Sequence, residues 1–113
     1  MAKYEKIIKG DFGSVVNAID EKVLNSAMSM NLVDESNYVC GETLVAVRVY
    51  DKYFMRNESR ASLTITIVGS NSEIFISAIG AGGGSGVIFN FSLGAENDLV
   101  KVVESAVNEL NTM

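Results

Sequence analysis

Histidine is missing from this chain, and cysteine occurs once. Without histidine, the commonest general base, a favoured metal ligand and the usual activator of a nucleophile are all absent together. One cysteine, Cys40, excludes an intramolecular disulfide. Its neighbours Tyr38, Val39 and Gly41 supply no positive charge to hold a thiolate, so Cys40 reads as a small packing residue. No apolar run reaches the roughly 18 residues that a membrane helix needs. Basic residues are also few, with 9 Lys and Arg against 14 Asp and Glu and a net charge of −5. Nucleic-acid binding rests largely on cations that neutralise phosphates, and anionic lipid asks for the same. Neither nucleic acid nor a membrane is therefore expected as a partner. The carboxylates fall at turns and helix starts, and the stretch 34–37 (DESN) is too short for a hard-cation loop. No metal, cofactor or catalytic residue is expected.

What the chain does have is the makings of one globular domain over residues 1–113. Its 113 residues are 48% hydrophobic and 20% charged, enough to bury roughly two-thirds of the unfolded surface without staples. The opening MAKYEKIIKGDF mixes charges with no apolar h-region, so no signal peptide is expected. Together with the lone cysteine this leads us to expect a cytoplasmic protein.

Residues 3–9 alternate weakly and predict a short edge strand guarded by lysines. Asp11 is placed to cap a helix beginning at Phe12. Phe12, Val15, Val16, Ile19, Val23, Ala27 and Met30 recur at helical spacing, predicting that helix over 12–30. Residues 31–42 are rich in turn formers, with room for a short strand at 38–40. Residues 43–55, 60–69 and 73–79 alternate with period two and predict three strands, with turns at 56–59 and 69–72. Residues 87–93 alternate again and predict another strand. From about 95 to 111, Leu99, Val102, Val103, Ala106 and Leu110 form a second helical stripe, with Glu96 and Asp98 in its first turn.

The expected fold is thus α+β: a curled antiparallel sheet of four to six strands with two helices on one face, in the order β-α-β4(5)-α. That layout resembles the half-repeat of the TATA-box-binding protein and a reduced helix-grip fold. Fold alone transfers no function.

Gly80–Gly86 (GAGGGSG) is the most conspicuous segment. It lacks the Lys of a Walker loop, and its spacing fails the GxGxxG pattern, so it reads as a connection between strands. If Val45, Val47, Leu63, Ile65, Ile67, Ile74 and Ile76 face the helices, the opposite face carries Arg48, Tyr50, Lys52, Thr64, Thr66, Phe75, Ser77, Ile79, Ile88 and Asn90. Such a mixture of aromatics, aliphatics and hydroxyls suits a contact surface. The candidate ligand or interface residues are therefore Arg48, Tyr50, Phe75, Ile79, Gly82, Gly83, Gly84 and Ser85.

The segments AKYEKIIKGDF, VRVYDKY, SLTITIVGS and IFISAIGAGGGSG together resemble a family of short bacterial proteins of unknown function. The resemblance spans nearly the whole chain and implies a stand-alone bacterial cytoplasmic protein. It brings no activity and no site residue. The expected function is a non-catalytic binding or interaction module that forms a homo-oligomer, most simply a dimer. The alternative is a carrier or sensor of a small apolar ligand, with residues 80–86 as its flap. A third reading is a small enzyme using glycine-loop N–H groups, with Arg48 or Lys52 stabilising charge.

Overall fold

The computed structural model describes residues 2–27, 29–54, 59–82 and 93–111. Strand β1 (Ala2–Lys9) leads into helix α1 (Phe12–Leu24). Four strands come next: β2 (Met30–Cys40), β3 (Thr43–Phe54), β4 (Ser59–Ser70) and β5 (Glu73–Gly82). Helix α2 (Leu93–Asn111) comes last. Among the described residues the strands form one antiparallel sheet in the order β1-β5-β4-β3-β2. Both helices pack on the same side of it, so the α+β class expected from the sequence is the class observed.

Local chemistry explains most boundaries. Asp11 has extended backbone angles, and its carboxylate accepts the Ser14 N–H at 3.0 Å, which makes it the N-cap of α1. Val15, Val16, Ile19 and Val23 form the buried stripe of this helix. The helix ends at Leu24, short of the 12–30 expected. The Asn25 and Ser26 N–H groups bond back to the Glu21 and Val23 carbonyls, and the Ser26 hydroxyl also donates to Val23 O. These backbone bonds and the Ser26 hydroxyl close the last turn, and Met30 is buried as the first residue of β2 instead.

The larger departure is β2 itself, an 11-residue strand where turn formers predicted mostly loop. Asn31, Asp34, Glu35, Ser36 and Asn37 tolerate an extended conformation because β3 offers each of them a ladder partner on one side. A bulge between Leu32 and Asp34 interrupts the register. Of the strand expected at 87–93, residues 87–92 lie outside the described residues, and Leu93 opens α2. The connection expected at 56–59 lies outside them too, apart from Ser59, which belongs to β4.

Two tight turns set the hairpins. Gly41 takes φ +61 between Cys40 and Thr43, and Asn71 and Ser72 take φ 51 and 69 between β4 and β5. Positive φ at both central residues of the Asn71–Ser72 turn matches strand twist, as in type I′ hairpins.

The core lies between sheet and helices. Leu63, Ile65 and Ile67 from β4 and Ile74, Ile76 and Ala78 from β5 meet Val16, Ile19 and Val23 of α1 and Leu99, Val103 and Val107 of α2. Each large aliphatic here contributes roughly 1.5–3 kcal/mol through burial. Lys22 on α1 and Glu109 on α2 are ion-paired across the outer helical surface.

Candidate functional site

Residues directly paired across antiparallel strands project to the same side of a sheet. Register therefore decides what the helix-free face carries. Three successive rows cross all five strands there. The first is Ile7, Phe75, Val68, Val45 and Tyr38. The second is Glu5, Ser77, Thr66, Val47 and Ser36. The third is Lys3, Ile79, Thr64, Val49 and Asp34.

The first row is apolar from edge to edge. Ile7 is 56% exposed and Tyr38 63%, while Phe75, Val68 and Val45 are half-buried. Ile79 in the third row is exposed as well. In the second row the Ser77 hydroxyl donates to the Glu5 carboxylate at 3.0 Å, so Glu5 lies over it and leaves Ser77 buried. Beyond the third row Arg60 reaches Asp51 at 3.0 Å and stands over the Tyr53 ring. The face is thus a band of aliphatics, aromatics and hydroxyls with charge at its margins. Lys3 and Lys9 occupy the β1 edge and Asp34 the β2 edge.

Phe75 and Ile79 lie on this face, as the alternation of β5 predicts. Arg48 and Tyr50 do not, and for β3 the expected division is reversed. Arg48 pairs with Ile65 and Tyr50 with Leu63, both core residues, so Arg48, Tyr50 and Lys52 lie on the helix side while Val45, Val47 and Val49 take the open one. Valine spacing pointed the other way. What permits the reversal is that Tyr50 buries its ring completely while its hydroxyl donates to Asp20 of α1 at 2.5 Å. Burial pushes the Tyr50 phenol well above its usual range, and the Asp20 hydrogen bond and charge add to this while Arg48 opposes it.

Arg48 is occupied structurally. Its guanidinium donates to Asn37 Oδ1 at 2.9 Å and to the Val47 carbonyl at 3.0 Å, and Glu35 lies 3.8 Å away. It fastens the outer strand β2 to β3 and is not aimed at an open site. Gly82 ends β5 opposite Ala61 and is exposed. Gly83, Gly84 and Ser85 lie outside the described residues, as does most of the flap expected at 80–86.

The residues that sequence reasoning left out of the site are Ile7, Tyr38, Val45, Val47, Val49 and Val68. A signal existed in the hydroxyl-bearing side of β4, since Thr64 and Thr66 mark the helix-free face. Only the pairing of β3 with β4 says which half of β3 joins them.

No described helix is long and apolar enough to cross a membrane. Among curated proteins none matches this chain. Residues 1–111 match the model of a family of unknown function, DUF6054, and the chain belongs to that family.

Proposed function

We propose that this chain is a non-catalytic interaction module that associates with a second copy of itself through the helix-free face of its sheet. The observation that carries this reading is the apolar row Ile7–Phe75–Val68–Val45–Tyr38, which runs across all five described strands with neither described helix over it. Apolar surface of this extent marks contact sites in soluble proteins, and symmetric dimers are the commonest assembly. Cys40, expected as a packing residue, is instead exposed at the end of β2; it is unpaired by any disulfide, which suits the reducing cytoplasm of a bacterium.

Sedimentation velocity over a concentration series tests the reading. The unmodified protein is expected to sediment as a dimer. Phe75→Ser, in the middle of the apolar row, is expected to weaken the dimer at least tenfold, since a buried interface aromatic is a typical hot spot. Its circular dichroism should stay unchanged, because Phe75 is outside the helix-covered core. A monomer at every concentration, or a Phe75→Ser dimer as tight as the parent, would overturn the proposal.

A further inference from the structure

We infer that the second copy lies across the sheet with the two-fold axis running along the strands over β4, so that β1 of one protomer covers β2 of its partner. This rests on the self-association reading and adds the arrangement. Sheets pack face to face either aligned, with strand directions within about 30°, or near-orthogonally, and only the aligned class lets whole rows meet. A two-fold axis between them then runs either along the strands or across them.

An axis along the strands lays each row on its own reverse. Ile7 meets the partner's Tyr38, Phe75 meets the partner's Val45, and Val68 meets the partner's Val68. In the third row Ile79 meets the partner's Val49, and Lys3 meets the partner's Asp34. In the first and third rows apolar groups oppose apolar groups and Lys3 and Asp34 pair with opposite sign, while in the second row Glu5 meets the partner's Ser36. An axis across the strands, through the second row, still opposes Phe75 to the partner's Ile79 and Val45 to the partner's Val49, but it mismatches both edge strands. It sets Glu5 against the partner's Glu5, Ile7 against the partner's Lys3, and Tyr38 against the partner's Asp34. Like-charge contacts and buried charge against apolar surface both count heavily against such a pairing.

Size and reach agree with the first arrangement. Five strands about 4.8 Å apart, paired over eight residues of about 3.4 Å rise, make a face of roughly 650 Å², close to the about 800 Å² per partner of a standard interface. The offset of aligned sheets displaces an edge strand by about 5 Å, within the span of a lysine side chain. Lys3 is free to swing, because its side chain is 61% exposed and its contact with Glu5 is loose at 3.9 Å.

Charge reversal tests the arrangement. Lys3 and Asp34 stand on opposite edges of one sheet, four strand spacings apart, so they do not pair within a chain. Lys3→Asp alone opposes acid to acid at both symmetric contacts, and Asp34→Lys alone opposes base to base. Each variant at about 50 mM salt, where screening is weak, is expected to dimerise roughly tenfold or more weakly. An equimolar mixture of the two makes both contacts attractive, and sedimentation should show the dimer restored as a mixed species. Mixing does not repair a defect inside either chain. Should one variant fail to fold, the double variant Lys3→Asp/Asp34→Lys carries the test, and it is expected to dimerise like the parent.

Single variants as tight as the parent, or a mixture (or double variant) no tighter than its components, would overturn the arrangement. If Phe75→Ser still dissociates the protein in that case, the contact face stands and only the orientation fails. A monomeric parent removes both.

Discussion

Removing only the phenolic oxygen of Tyr50 separates two contributions that this residue makes to the fold. The ring is fully buried beside Leu63, its cross-strand neighbour, and the hydroxyl donates to Asp20. A hydrogen bond to a charged group contributes about 1.5–3 kcal/mol. Asp20 is half-buried, so water replaces part of that bond, and Tyr50→Phe should cost about 1–2 kcal/mol. Tyr50→Ala removes the ring as well and should cost about 3–5 kcal/mol, as for other large aromatics in cores. In thermal unfolding these become a drop of roughly 4–8 °C for Phe and a far larger one for Ala. The sign of the pH dependence gives a second check. The Tyr50 phenol is raised in the folded state, so its contribution is complete below the unfolded value near 10 and is lost as pH rises above it. Stability should fall there by up to about 1.4 kcal/mol per pH unit from this group, and Tyr50→Phe should lack that part of the slope. Denaturant melts of parent and variants from pH 7 to 11 measure all of this. If both substitutions stay within about 0.5 kcal/mol, as surface changes do, or if the alkaline slope is no shallower in Tyr50→Phe than in the parent, the burial of Tyr50 and the register behind it are wrong.

Two further perturbations probe how the elements are joined. A Cβ added at Gly69 would sit 2.6 Å from Phe12 Cδ1, so Gly69→Ala should cost about 1–3 kcal/mol by overpacking. A double variant with Phe12→Leu should recover part of that loss in a denaturant-based mutant cycle, whereas strict additivity would refute the contact. Asp11→Ala should lower the melting temperature at neutral pH. The Ser14 N–H and hydroxyl hold the Asp11 carboxyl below its usual range, so its contribution is present above the unfolded value and fades as pH falls through the folded one. The gap between parent and variant should therefore close in acid, and a gap that widens there would contradict the cap.

Much of the candidate site was within reach of the sequence. The alternation of β4 and β5 correctly sorted Leu63, Ile65, Ile67, Ile74, Ile76 and Ala78 from Thr64, Thr66, Phe75 and Ile79, because one side of each strand is plainly richer in aliphatics. In β3 both sides are apolar enough to be buried: Val45, Val47 and Val49 on one, Ala46 and Tyr50 on the other. Hydrophobicity alone chose the valines. β2 was hidden for a different reason, since its polar residues gain an extended conformation only through the ladder to β3.

What the sequence determined by itself was local: the Asp11 cap, the helical stripes, the strands of period two, the tight turn at Asn71–Ser72, and the α+β class that their order implies. Each depends on neighbours within a few residues, which the chain carries wherever it goes. The tertiary structure decided which face of β3 turns to the helices, and with it the row from Ile7 to Tyr38. That choice depends on pairing with strands far along the chain, and one residue of register exchanges the two faces entirely.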